Sequence, residues 1–138
     1  MKTIIFENDI NVFYVEAESF PEGIEEAHKK LHELVPFSDN RKYFGISRPE
    51  NGRIVYRAGV EEVVAGEAER LNCKTMILEK GSYMIVTIED YMKHIEGIGM
   101  AFEELLSFQG IDQQGYCVEW YFNDRDVRCM VRLASEEK

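Results

Sequence analysis

Long apolar runs are missing from this chain; none approaches the roughly 20 residues that a membrane-spanning helix needs. A secretory leader is also hard to find, because Met1-Lys2-Thr3-Ile4-Ile5-Phe6 meets Glu7 and Asp9 before the usual apolar stretch can form. Basic charge is scarce. The chain carries 16 Lys and Arg against 26 Asp and Glu, a formal net charge of −10. That argues against a broad basic face for DNA, RNA or an anionic bilayer, and favours cationic partners. Cysteine is scarce too. Cys73, Cys117 and Cys129 are odd in number and nowhere spaced C-x-x-C, so a disulfide framework is not expected and a reducing cytoplasm is. The three thiols read as small buried hydrophobes.

Recognisable catalytic motifs are missing as well. His28 and His32 lie four apart on a helical stretch, but Lys29-Lys30-Leu31 between them gives no H-E-x-x-H and no third ligand follows. They read as solvent-side histidines, and His94 has no partner visible in sequence. Gly97-Ile98-Gly99 lacks the third glycine and the strand–turn context of a dinucleotide site. Ser82 and Ser107 have no G-x-S-x-G setting. No cofactor and no metal are expected.

What is present is self-similarity. Lys2-Thr3-x-Ile5-x-Glu7 returns 72 residues on as Lys74-Thr75-x-Ile77-x-Glu79. Ile24, Ala27, Leu31, Leu34 and Val35 return 71 residues on as Ile95, Ile98, Phe102, Leu105 and Leu106. Tyr43, Ile54, Ala58 and Val60 return 73 residues on as Tyr116, Val127, Val131 and Leu133. Such a pattern predicts two copies of one supersecondary unit sharing a core. The 138 residues then form a single domain, with repeat one at about 1–65 and repeat two at about 73–135. At the position of Ile46 the second copy carries Glu119.

Alternation predicts strands over 3–17 and 75–89, broken near Asn8-Asp9 and Gly81-Ser82. Ser19, Pro21 and Glu22 read as a capping box opening a helix, with Ile24, Ala27, Leu31, Leu34 and Val35 as its apolar stripe and Pro36 as its stop. Asn51-Gly52 is a hairpin signal between strands at 43–47 and 54–64. Residues 66–72 read as a polar link. Asp90 is expected to cap a second helix, which buries Ile95, Ile98, Phe102, Leu105 and Leu106 and ends near Gly110. The last hairpin turns at Asn123-Asp124, and the tail at 135–138 is expected to fray. The expected fold is α+β: two strand–helix–strand–strand repeats with pseudo-two-fold symmetry, forming one curved antiparallel sheet with both helices on one face and a ligand groove on the other.

The strand Tyr116-Cys117-Val118-Glu119-Trp120-Tyr121-Phe122 has two characters. Alternation sets Tyr116, Val118, Trp120 and Phe122 on one face, expected beneath the helices. Cys117, Glu119 and Tyr121 fall on the other, expected in the groove. A carboxylate among aromatic rings in mid-strand is unusual unless paired. Unpaired, its pKa rises, and it welcomes a cation flanked by aromatic faces. The plainer alternative is an exposed edge-strand glutamate, or one paired with Arg128 or Arg57.

Tyr43-Phe44-Gly45-Ile46, Tyr56-Arg57-Ala58-Gly59-Val60, Lys80-Gly81-Ser82-Tyr83 and Val118-Glu119-Trp120-Tyr121 together resemble the GyrI-like small-molecule-binding domains. These are the effector-binding domains of multidrug-sensing transcription regulators and the stand-alone gyrase-inhibitory proteins. The resemblance spans essentially the whole chain. It implies a cleft lined by aromatics with a central glutamate that meets cationic, lipophilic ligands. Glu119 falls where that glutamate is expected and Tyr121 follows on its face. Phe44 and Ile46 are the counterparts from the first repeat, and Tyr56 and Tyr83 fall in segments that contribute to the cleft. Trp120 joins the candidate ligand-binding set only if a bulge turns it inward. With no length before Met1 or after Lys138 for a helix-turn-helix unit, the stand-alone form is expected, without direct contact to nucleic acid or membrane. Capture of aromatic or amphipathic, cationic small molecules is the implied function. The alternatives are a hydrolase of cyclopropane-type electrophiles using Glu119 as general acid or base, and an interaction protein whose partner is gyrase or a regulator.

Overall fold

The computed structural model describes residues 2–134; the expected fraying at 135–138 lies outside the described residues. Lys2–Phe6 (β1) and Ile10–Glu16 (β2) are separate strands, parted at Asn8-Asp9 where the alternation breaks. Helix α1 follows at Ile24–Leu34. Tyr43–Glu50 (β3) and Arg53–Glu61 (β4) form a hairpin whose turn places Asn51 at φ 54° and Gly52 at φ 81°, the left-handed pair that Asn-Gly supplies at low cost. A one-turn helix, Glu67–Arg70 (α2), leads to Lys74–Leu78 (β5) and Gly81–Ile88 (β6). A 3-10 turn at Tyr91–Lys93 precedes α3 at Glu96–Leu106. The chain closes with Cys117–Trp120 (β7) and Val127–Arg132 (β8). None of the described helices is long and apolar enough to cross a membrane.

The eight strands make one antiparallel sheet in the order β1-β6-β8-β7-β3-β4-β2-β5. β1 leaves its sequence neighbour β2 to pair with β6, and β5 leaves β6 to pair with β2. The two strand breaks meet, with the Lys80 N–H donating to Asp9 Oδ1 at 2.8 Å. The order reads the same from either edge when β1–β4 are exchanged for β5–β8. Splitting the long first strand of each half corrects the simpler strand–helix–strand–strand expectation.

The two long helices, α1 and α3, lie on one face. Ala27, Leu31 and Val35 pack on Phe13, Tyr43, Ala58 and Val60. Ala101 and Leu105 pack on Met84, Val127, Cys129 and Val131. The opposite face has no helix and still buries its side chains, because the sheet curls until its edges approach each other. Ile10 and Leu78 from one edge and Ile85 and Tyr83 from the other enclose Phe44, Ile46, Val118 and Met130. The last four are at most 1% exposed, and fully burying such a side chain contributes about 1.5–3 kcal/mol. The groove expected on this face is therefore a filled core; a recess of about 190 Å³ remains at its rim, lined by Arg48, Tyr83, Asp112, Tyr116 and Arg132 among others.

Local starts and stops differ in detail. The Ser19 side chain caps nothing; its carbonyl accepts the Gly23 N–H at 3.1 Å and the helix begins at Ile24. Leu34 is left exposed. Asp90 opens the 3-10 turn rather than α3, and α3 turns Ala101 and Leu105 inward with Ile98 and Phe102 half-covered, leaving Ile95 and Leu106 about half exposed. The link at 66–72 is structured: Glu67 is buried, and Arg41 grips it with Nη1 at 3.1 Å and Nη2 at 3.0 Å.

Candidate functional site

β3 and β7 lie side by side at the sheet centre, and their register sets Gly45 opposite Glu119, Ile46 opposite Val118 and Phe44 opposite Trp120. Glu119 also pairs with Cys129, and Gly45 with Ala58. This row points to the helix side. Glu119 therefore lies between α1 and α3, which corrects its expected place opposite the helices. Ile46 projects to the other face, so it is not the positional equivalent of Glu119; the offset of 73 is one residue out of phase in this strand.

Gly45 makes the site possible. A Cβ there would overlap the Tyr56 hydroxyl and come within 2.5 Å of Glu119 Oε1. Without it, the Tyr56 ring from β4 leans across β3 and donates its hydroxyl to Glu119 Oε1 at 2.9 Å. Tyr121, just past β7, donates to the same oxygen. Oε2 accepts no hydrogen bond among the described residues, yet it is not one of the buried polar atoms left without a partner. Glu119 as a whole is partly buried.

The walls are aromatic. His28 of α1 places Nε2 2.8 Å from the Tyr56 hydroxyl and sets its ring edge-on to Tyr56 and Tyr121. Since Tyr56 gives its one proton to Glu119, the His28 Nε2–H donates to the Tyr56 oxygen. Tyr91 tilts against Tyr121 at 5.3 Å between ring centroids, and Phe20 stacks outside Tyr56 at 6.1 Å.

Burial raises the Glu119 pKa, partly offset by the hydrogen bonds from Tyr121 and Tyr56. Burial and the nearby Glu119 charge push the Tyr56 and Tyr121 hydroxyls far above their ordinary range, so both stay protonated donors. Burial, with the His32 charge second, lowers His28 to about 4, leaving it neutral at physiological pH. Burial and then Glu119 hold Cys117 at about 11 and Cys129 at about 12; neither is a ready thiolate. Among the described residues no cation pairs with Glu119. Arg57 is committed to Glu50 at 3.0 Å, and Arg128 lies over the rings of Trp120 and Phe122.

The structure thus gathers Glu119, Tyr121 and Tyr56. It places Phe44, Ile46 and Tyr83 in the curled core on the other face, a correction for all three. Tyr83 packs on Phe6 and donates to the Glu79 carbonyl. Trp120 also faces away from Glu119, as strict alternation requires, and lines an open groove at the end of β7 instead. Gly45, Phe20 and Tyr91 are not among the residues the sequence marks for this site, and His28 meets Tyr56 rather than facing solvent as expected. His28 directly follows the core residue Ala27, so it flanks the apolar stripe; that was the available signal.

This architecture is shared with solved proteins of very low sequence identity. The protein SAV2435, solved bound to tetraphenylphosphonium, superposes with a TM-score of 0.70 at 9% identity, over 97% of this chain and 93% of that one. An integron cassette protein from the mobile metagenome of Vibrio cholerae matches with a TM-score of 0.66 at 10% identity, over 96% and 95%. A putative bacterial transcription regulation protein from Staphylococcus aureus MU50 matches at 0.63 and 10% identity, over 95% and 97%. No family model and no curated protein sequence matches the chain.

Proposed function

We propose that this protein, a single cytoplasmic domain built from a duplicated unit, captures aromatic or amphipathic cationic small molecules between α1 and α3, with Glu119 as counter-charge. The observation that carries the reading is a carboxylate set deep in mid-sheet whose partners among the described residues are two tyrosine hydroxyls. Desolvating an unpaired carboxylate is costly, and a lipophilic cation seated on Oε2 would relieve that cost while the rings of Tyr56, Tyr91 and Tyr121 face its charge. The fold shared with a protein solved around tetraphenylphosphonium supports the same chemistry. Calorimetry with tetraphenylphosphonium tests it: Glu119→Gln should weaken binding at least about 30-fold, as expected when a desolvated charge loses its partner. Undiminished affinity in that variant removes Glu119 from the reading.

One observation favours a second reading. A carboxyl with a raised pKa, aligned by two hydroxyl donors, is suited to general acid catalysis. The same cleft would then protonate and open a strained electrophile such as a cyclopropane. Mass spectrometry after incubation decides: binding without product eliminates hydrolysis.

A further inference from the structure

An open groove of about 670 Å³ lies beside the Glu119 site, between the loop after α1 and the turn after β7. That volume suits a drug-sized molecule. Phe37, about two-thirds exposed, stacks on Tyr43 with centroids 5.1 Å apart, and Trp120 and Phe122 form the opposite shelf. Tyr121 belongs to both sites: it borders the groove, and its hydroxyl is bonded to Glu119. The charges are uneven. Arg41 is spent on Glu67, and Lys42 lies over the Trp120 ring. Glu61 accepts the Lys42 backbone N–H. Asp39 and Asp124 form no ion pair among the described residues, and both border the groove.

We propose that this groove is an outer subsite, continuous with the Glu119 site past Tyr121, and that the two together select elongated aromatic dications. One charged ring system sits at Glu119. The second lies on the exposed Phe37 ring, since Arg128 and Lys42 already cover the Trp120–Phe122 shelf, with its charge between Asp39 and Asp124. This rests on the reading of Glu119 as a cation site and adds the class of molecule preferred there. Aromatic faces and exposed carboxylates combine as they do wherever a flat organic cation is held at a surface. Because the outer carboxylates are solvated, their contribution is modest and falls with salt.

Calorimetry with two probes tests the proposal. Dequalinium carries two quinolinium rings joined by a ten-carbon chain, and tetraphenylphosphonium carries one compact charge. The wild type should bind dequalinium the more tightly. The double variant Asp39→Asn/Asp124→Asn should cut the ratio of dequalinium to tetraphenylphosphonium affinity about tenfold, while Glu119→Gln weakens both probes. Raising salt should shrink the ratio in the wild type and leave it flat in the double variant. An unchanged ratio in the double variant, with tetraphenylphosphonium still dependent on Glu119, overturns the outer subsite alone. Failure of both probes to bind the wild type overturns the Glu119 reading and this one with it. Both aspartates are exposed, so the variants should fold, and circular dichroism verifies that they do.

Discussion

The two faces of the sheet treat charge in opposite ways. Arg48, Arg57, Arg128 and Arg132 all project on the side of Phe44, Ile46, Val118 and Met130, the curled face. There Arg48 and Arg57 share Glu50, and Arg132 meets Asp112 at 3.3 Å. The helix face holds Glu119 and no cation for it among the described residues. Strict alternation therefore separates the carboxylate from the arginines that could neutralise it: Arg128 is the Cα partner of Trp120, one residue from Glu119, and still points the other way. One face is compensated and filled; the other keeps an uncompensated charge in a gap between helices. The cation site proposed at Glu119 would need the second arrangement, and the fold would lose some stability to maintain it.

The comparison breaks if the curled face is not the main source of stability. Phe44→Ala should cost about 3–5 kcal/mol, as deletion of a fully buried phenyl does, with urea melts as the readout. A loss under about 1 kcal/mol would mean that the curled face is loosely packed. On the other face, Gly45→Ala should cost about 1–3 kcal/mol through overpacking. It should also separate Tyr56 from Glu119, so that tetraphenylphosphonium affinity changes while Phe44→Ala leaves it intact at temperatures where that variant is folded. Equal effects of the two variants on affinity would erase the distinction between the faces.

Much of this was legible in the residues. Asn51-Gly52 set the hairpin, the break at Asn8-Asp9 fell where β1 and β2 part, the break expected at Gly81-Ser82 lies two residues earlier at Glu79-Lys80, and alternation put Glu119 with Tyr121 and against Trp120. The identity of the helix-covered face was not legible, because apart from Glu119 both faces of Tyr116–Phe122 are aromatic or apolar and only tertiary packing chooses between them. The exchange of β1 and β5 between halves was hidden for a related reason: edge pairing depends on distant partners, not local pattern. Gly45 looked like an ordinary strand glycine, and only the approach of the Tyr56 hydroxyl gives it meaning. His28 was misjudged because it sits at the margin of the stripe, where a small rotation of the helix decides between water and the cleft.

A smaller effect sharpens the electrostatic contrast. Since burial raises the Glu119 pKa, the folded state holds this proton more tightly than the unfolded chain does. The stabilising contribution is complete below the ordinary value of 4.5 and is lost as pH rises through the raised one. Glu119→Gln does not titrate. Its stability should match the wild type in acid and exceed it by about 1 kcal/mol at alkaline pH, measured by thermal melts from pH 4 to 8. A variant that is less stable than the wild type at pH 8 would show that Glu119 is compensated after all.

The smallest effect at neutral pH belongs to His28→Gln, which keeps an N–H to meet the Tyr56 oxygen and removes the titration. At pH 7.5 its stability should lie within about 0.5 kcal/mol of the wild type. Below 6.5 the two should part. Wild-type His28 stays neutral until about 4, while the unfolded chain gains a proton near 6.5. The stability His28 confers is thus whole above 6.5 and drains away as pH falls toward 4, a loss the glutamine variant escapes. Were His28 instead the hidden cation partner of Glu119, its pKa would be raised, the wild type would gain stability on acidification, and the variant would be the one to fall behind. The sign of that divergence between pH 6.5 and 4.5 decides whether the cleft waits for a cation or already contains one.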